Sequence, residues 1–501
     1  MTLRRKARDG RGDFIDGRFM TPPTPAGALD CVSPADLGDR IGSFPFAAAQ
    51  IAGAVDAARR ALPGWRRSAD DTRATMLRAY AKSLEAHRQE LTIAISRSIG
   101  KPLWESKTEV DAMIAKVEIT LTAGRELIRT QTLDAGAARV RYRPVGVCAV
   151  IGPFNFPGHL PNGHIVPALA AGNTVVFKPS ERAPEVGEIV ARCLAEAGLP
   201  AGVFNVVQGD ATVARALIGH ADIDAVMFTG STAVGRAILE ASTPWPGRLI
   251  ALELGGKNSA IVLDDADLAW AAREIAFAAY VTAGQRCTAT SRVIVQRSVA
   301  DALVAKLTVA ARDTRIGVPD GDDVFLGPVI SEPTRARALR AIADASAELD
   351  AIVPARIPDV PVQGHYLAPS LYRVREAAIG RALALSCDEL FAPVLTVEIV
   401  DDEVAAIART NDTPYGLAAC VFTRSRERYE RVSVELDVGL CNWNRGTVGS
   451  SSKLPFGGVK ASGNHRPAGL FSTNYCVDAV GEILVEAPNA TAALPPGLRV
   501  G

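Results

Sequence analysis

The sequence predicts an α/β protein built on a doubly wound sheet, with a second α/β unit after it. Three observations carry this. Continuous apolar runs such as Val147-Cys148-Ala149-Val150-Ile151 stop at Gly or Pro, as parallel strands buried on both faces do. Amphipathic segments of helical length lie between these runs, so strand and helix alternate. The alternation then restarts after Gly256. Handed crossovers in such a sheet put a ligand at the carboxyl ends of its strands.

Taken in order, residues 47–62 and 71–129 read as helices. Ile51, Val55, Ala58 and Leu62 share one face, and Met76, Leu77, Tyr80 and Leu84 repeat the pattern. Gly100-Lys101-Pro102 breaks the second run. Residues 140–143 read as a short charged strand, at an edge or in an oligomer contact. Strands follow at 147–151, 174–177, 204–207, 225–228 and 249–252, with helices at 165–171, 184–197, 211–218 and from Ala233. The second unit offers strands at 260–262, 291–295, 394–397, 419–422 and 439–442. Its helices start near Leu268, Ser298, Thr334, Asp402 and Arg426. The Pro-, Gly- and Asp-rich stretch 313–365 reads as irregular loops, and 475–485 alternates as a strand. Beyond Ala487 the chain reads as mobile, and no internal repeat is visible.

Bulk properties bound the function. A chain of 501 residues is too long for one core and implies two to three domains. Lys plus Arg and Asp plus Glu number 55 each, so no basic field argues for nucleic acid or an anionic membrane. No apolar run approaches the roughly 20 residues that span a bilayer. The 8 cysteines stand singly, which argues against a metal site or a disulfide framework and for a reducing, cytoplasmic setting.

The stretch that carries chemistry is Thr282-Ala283-Gly284-Gln285-Arg286-Cys287, a thiol after a glycine-led turn. Earlier, Leu252-Glu253-Leu254-Gly255-Gly256 ends an apolar strand in a carboxylate. A thiol nucleophile and a base that activates water are what is needed to make and then hydrolyse a thioester. Most buried cysteines are inert, but Arg286 beside Cys287 would favour its thiolate. Burial would raise the pKa of Glu253 toward that of a useful general base.

Six stretches in one order resemble the aldehyde dehydrogenase superfamily over nearly the whole chain. They are Pro153-Phe154-Asn155-Phe156-Pro157, Phe177-Lys178-Pro179-Ser180-Glu181, Phe228-Thr229-Gly230-Ser231-Thr232, the Glu253 stretch, Gly284-Gln285-Arg286-Cys287 and Pro455-Phe456-Gly457-Gly458. The resemblance implies that Cys287 attacks an aldehyde carbon and that hydride loss to a nicotinamide leaves a thioester. Glu253 would activate water, and Asn155 would donate its amide to the oxyanion with the Cys287 backbone N–H. Losing one such donor costs about 10²–10³ in rate. The cofactor implied is NAD. Lys178, Ser180 and Glu181 would sit at the adenosine ribose, where an acidic group repels a 2′-phosphate. Gly230, Ser231, Thr232, Ala233, Val234 and Gly235 would present backbone donors to the pyrophosphate. Glu389 and Phe391 would hold the nicotinamide ribose, although this chain has Glu389-Leu390-Phe391-Ala392-Pro393 where the superfamily shows Gly before the proline.

Residues 158–167, residues 462–467 and Asn442-Trp443-Asn444 are similar to the N-succinylglutamate 5-semialdehyde dehydrogenases within that superfamily. That subfamily oxidises a semialdehyde bearing two carboxylates in bacterial arginine breakdown. A pocket for it needs fixed donors, for which His159, Asn162, His164, Arg286, His465 and Arg466 are candidates, Arg466 as a bidentate carboxylate contact. Each histidine also has an ordinary hydrogen-bonded role open to it. Two rivals stay open: a dehydrogenase of another semialdehyde or aliphatic aldehyde, and a non-catalytic binding protein on the same scaffold. The implied domains are 1–252 for NAD, with 132–144 in an oligomerisation flap, and 253–445 for catalysis. Residues 446–501 would return to the cofactor domain and form an oligomerisation tail. A homodimer or homotetramer is expected.

Overall fold

The computed structural model describes residues 3–380, 384–488 and 494–500. Among them the strands form two seven-stranded sheets. The first runs Leu249–Glu253, Ala225–Thr229, Val147–Ile151, Thr174–Lys178, Phe204–Val206, Asp13–Ile15, Arg18–Met20. Its first five strands are parallel, and the two N-terminal strands extend the edge antiparallel. The second runs Leu349–Val353, Ser370–Val374, Val394–Val400, Thr290–Gln296, Asn258–Val262, Ala418–Phe422, Leu440–Trp443. It is parallel except for Leu349–Val353. The α/β expectation therefore holds in both halves.

The central strands Val147–Ile151 and Asn258–Val262 are buried at every residue, as runs covered by helices on both faces must be. Each fully buried Val, Leu or Ile side chain contributes about 1.5–3 kcal/mol. Helices Gln50–Arg67, Asp70–Ala86, Arg88–Ile99 and Leu103–Ile119 pack around the first sheet. The run expected at 71–129 is thus interrupted at His87 as well as at Gly100, and 127–129 is not helical.

Three expectations need correction. The strand around residues 140–143 is not an edge: Ala138–Pro144 lies between Gln131–Leu133 and Val477–Ile483 in a three-stranded antiparallel sheet. Its charged side chains find cross-strand partners there, with Arg141 Nε 2.6 Å from Glu482 Oε1. Residues 313–365 are not only loops, because Leu349–Val353 pairs with Ser370–Val374. The hairpin Gly27–Ser33 and Asp36–Phe46 was not anticipated; it closes over Cys31, Ile41 and Phe44. Residues 489–493, within the tail read as mobile, lie outside the described residues. No described helix is long and apolar enough to cross a membrane.

The chain crosses from one sheet to the other between Glu253 and Asn258. At that crossing the Leu254 N–H donates to Ser462 O at 3.0 Å, and residue 463 bridges Glu253.

Candidate active site

Helix Leu268–Tyr280 delivers the cysteine, but not by a regular turn. Thr282, Ala283 and Gly284 all take positive φ (58°, 53° and 69°). Two non-glycine residues in the left-handed region are costly, so the surroundings must hold them. Thr282 Oγ1 bonds Glu105 Oε1. The Gln285 side chain spans Thr282 O (3.0 Å) and the Ile330 N–H (2.7 Å). Asn258 Nδ2 donates to Cys287 O and Ala289 O, both at 2.8 Å. Gly284 has no room for a side chain: a Cβ would lie 2.4 Å from Ala392 O. The methyl of Ala392 itself is buried in the core beside it, so the Gly-to-Ala difference at this position is absorbed by packing.

Cys287 and Glu253 line one cavity of about 230 Å³. Burial pushes the Cys287 thiol up to about 12, reinforced by Glu389 and Glu253. Arg286 does lower the thiol, as expected, but burial outweighs it. Its Nη2 lies 2.9 Å from Glu105 Oε1 and its Nε 2.7 Å from Thr282 Oγ1, so its charge is already paired. Glu253 is 5 % exposed. Its Oε1 accepts from the Ala468 N–H at 3.0 Å, while its buried Oε2 has no partner. Burial therefore holds its pKa well above the ordinary carboxylate range. Burial thus favours the uncharged form of both the thiol and the carboxyl, and each must lose its proton before it can react.

Asn155 is buried against the cysteine loop, with Nδ2 2.9 Å from Gln285 O. One amide N–H is spent there and one remains.

The expected substrate residues divide by helix face. In helix His159–Ala170, His159, Leu160, Gly163 and His164 line the cavity, as helical spacing requires. His159 Nδ1 is buried without a partner, and burial holds this imidazole down to about 4. His164 bridges Tyr475 Oη (2.8 Å) and Thr229 Oγ1 (3.3 Å), and burial likewise holds it down to about 3. Asn162 points away: Tyr80 Oη donates to its Oδ1 at 2.9 Å and its Nδ2 donates to Met113 O at 3.0 Å. His465 and Arg466 are exposed and outside the cavity. Asn464 is the reason. It turns inward to pair with the Leu252 N–H (3.0 Å) and Ile250 O (2.8 Å), and His465 at φ 62° swings outward. A residue that was not anticipated, Lys116, lines the cavity in their place. The signal for it was the spacing of Glu105, Glu109 and Lys116, which puts all three on one side of helix Leu103–Ile119.

The expected cofactor residues gather on the other side of Glu253. The Gly230 N–H donates to Glu253 O at 3.0 Å. Ser231 caps helix Thr232–Ser242, its Oγ accepting from the Val234 N–H at 3.4 Å. A Cβ at Gly235 would lie 2.7 Å from Leu254, so glycine lets this helix close onto the strand end. Ser231, Thr232, Ala233 and Glu389 border a cleft of about 410 Å³. Lys178 Nζ lies 3.3 Å from Glu181 Oε2, whose side chain is half exposed. Ser180 Oγ accepts from the Arg182 N–H at 3.2 Å and is occupied in its own turn. Glu389 Oε1 accepts from the Gly256 N–H at 3.0 Å, and burial pushes its carboxyl up to about 7. Phe391, at φ 57°, meets Phe154 edge-on at 5.8 Å. A helix start bearing exposed residues, an open cleft and an acid beside a buried lysine fit a dinucleotide with an unphosphorylated ribose.

Comparisons with known proteins agree with this geometry. The aldehyde dehydrogenase family matches residues 21–479. An N-succinylglutamate 5-semialdehyde dehydrogenase of Chromobacterium violaceum is 40 % identical over 97 % of this chain and 99 % of its own length. One of Chromohalobacter salexigens is 41 % identical over 90 % of this chain and 92 % of its own. Among solved structures, an NADP-dependent enzyme of E. coli superposes with a TM-score of 0.89 at 33 % identity, over 94 % of this chain and 97 % of that one. A 1-pyrroline-5-carboxylate dehydrogenase of Thermus with bound NAD gives 0.88 at 29 % identity, over 95 % and 93 %.

Proposed function

The chain belongs to the aldehyde dehydrogenase family, and we propose that it oxidises N-succinylglutamate 5-semialdehyde to N-succinylglutamate with NAD. The observation that carries the chemistry is the single cavity shared by Cys287 and the half-unpartnered Glu253. The relatives named for this substrate, about 40 % identical over most of the chain, support the substrate.

In the reaction, Cys287 Sγ bonds to the aldehyde carbon as its proton is lost to solvent. The carbonyl electron pair moves to oxygen, where the Cys287 backbone N–H and the remaining Asn155 N–H receive it. NAD, when bound, accepts the hydride lost from that carbon. Lys178 and Glu181 would hold the ribose hydroxyls, with Ser180 shaping their turn. The N–H groups of residues 230–235 would hold the pyrophosphate, and Glu389 and Phe391 the second ribose. Glu253 then takes a proton from water as its oxygen attacks the thioester carbon. The C–S bond breaks, the carboxylate leaves and the thiol is restored.

Residues 1–252 are read as the cofactor unit and 253–445 as the catalytic unit, with 446–501 returning to the first. A dimer or tetramer formed through the three-stranded sheet accords with the exposed Leu133 and Ile483 on it. Eight cysteines, all free, accord with a cytoplasmic setting.

Steady-state kinetics on N-succinylglutamate semialdehyde beside shorter dicarboxylic and aliphatic aldehydes test the substrate. The expected result is the highest kcat/KM for the succinylated compound; equal values for hexanal would overturn it, and no NADH with any aldehyde would favour a binding protein. Cofactor choice is tested separately. Glu181→Gln is expected to narrow the preference for NAD over NADP by about tenfold, through loss of one repulsive charge. An unchanged ratio of kcat/KM for the two cofactors would remove Glu181 from the ribose.

A further inference from the structure

Lys116 is 2 % exposed and lines the same cavity as Cys287 and Glu253. Its Nζ donates to Gly469 O at 2.6 Å and Ser472 Oγ at 3.0 Å, both neutral acceptors. An ammonium carries three N–H donors, so one is left over. Other buried cations nearby are neutralised. Lys101 pairs with Glu109 at 2.8 Å, and Arg286 pairs with Glu105. Among the described residues no carboxylate pairs with Lys116. A buried charge is normally paired, so one left without a counter-anion in a ligand cavity points to an anion supplied from outside.

The same short segment holds both Lys116 and the catalytic carboxyl. The Ala468 N–H binds Glu253, and the next carbonyl, Gly469 O, binds Lys116. Much of the remaining wall is apolar, from Ala112, Phe156, Leu160 and Phe456. With Arg286 neutralised by Glu105, Lys116 is the unpaired positive charge that a ligand in this cavity would meet.

We propose that Lys116 selects anionic aldehydes, its ammonium receiving a carboxylate of the substrate while the aldehyde carbon lies at Cys287 Sγ. This deepens the function proposed above and rests on it. Exposed Arg466, expected from the sequence to make that contact, is replaced in the role by a lysine fixed by two hydrogen bonds.

The test compares N-succinylglutamate semialdehyde with hexanal, an uncharged aldehyde, on the wild type, Lys116→Gln and Lys116→Arg. Glutamine keeps N–H donors but carries no charge. It is expected to lower kcat/KM for the anionic aldehyde about 10- to 10²-fold, mostly through KM, while hexanal changes less than about threefold. Lys116→Arg is expected to recover part of the loss.

Burial also holds the Lys116 ammonium down to about 8. The wild-type ratio of kcat/KM for the anionic over the uncharged aldehyde should therefore fall as pH rises through about 8. It should fall less steeply in Lys116→Arg, since guanidinium does not deprotonate. The titratable and charged groups lining the cavity with Lys116 are His159 and His164 from helix His159–Ala170, Glu253, Arg286, Cys287, and Glu109 on its own helix, and Cys476 acts on it from outside the cavity. Both histidines are held neutral. Negative charge gained at Glu253 or Cys287 repels the anionic aldehyde in the wild type and in Lys116→Arg alike, so the difference between their slopes isolates Lys116. Equal losses for the two aldehydes, or a wild-type ratio that falls no more steeply than that of Lys116→Arg, would overturn the role of Lys116. A wild type that does not prefer the succinylated aldehyde would overturn the substrate instead, whatever the variants do.

Discussion

Cys287→Ala forms no NADH with any aldehyde, while NAD binding stays near the wild-type value. That is the expected result, because the sulfur faces the substrate cavity and the dinucleotide residues border a different cleft. Removing a nucleophile costs on the order of 10⁴–10⁶ in turnover when nothing replaces it. Initial rates by absorbance and an NAD titration by protein fluorescence measure the two halves of the claim. Turnover within tenfold of the wild type would take the nucleophile's role from Cys287. A second readout uses the thiol itself. Since burial pushes Cys287 up to about 12, its thiolate fraction at neutral pH is small and grows about tenfold per pH unit. Alkylation of Cys287, followed by peptide mass spectrometry, should accelerate accordingly. A rate independent of pH between 6 and 9, roughly three decades of thiolate, would mean that a neighbour has already taken the proton.

Much of the fold was legible because buried parallel strands leave a simple trace. Runs such as 147–151 and 225–228 are apolar throughout and end at Gly or at a polar turn. In the first sheet the structure extends them by a residue at most, as Ala225–Thr229 illustrates, whereas 394–397 in the second grows to Val394–Val400. The N-terminal strands left no such trace. Asp13–Ile15 and Arg18–Met20 are only three residues each, and Gly27–Ser33 alternates exposed and buried positions on a polar background. The core of the site was legible for another reason: the turn chemistry around Glu253 and Cys287 is local in sequence. Substrate residues failed where direction mattered. Asn162 lies on the far side of its helix, and one inward-turned Asn464 reverses His465 and Arg466. Lys116 failed in the opposite sense, since a lysine on an amphipathic helix ordinarily faces solvent. Only the packing of residues 468–472 onto that helix makes it a wall of the cavity.

Glu253→Gln should separate the two halves of the thioester cycle. Forming the adduct needs the sulfur and the oxyanion donors, whereas hydrolysis needs a base at the water. The substitution keeps an acceptor for the Ala468 N–H, so the strand end should hold its shape. What it removes is proton uptake at Oε2, the oxygen that now has no partner. Rapid mixing is expected to give up to one equivalent of NADH per site, then very slow turnover. The acyl group should be found on Cys287 by mass spectrometry. pH gives an independent check of the sign. Burial raises the pKa of Glu253 well above its ordinary range, so it loses its proton at higher pH than a free carboxyl and becomes a base as pH rises. Wild-type hydrolysis of the preformed adduct should therefore speed up with pH, while that of Glu253→Gln should follow only hydroxide. No burst, no adduct and an unimpaired steady rate would remove Glu253 from the water. Loss of both phases together would instead make it the base that also takes the thiol proton.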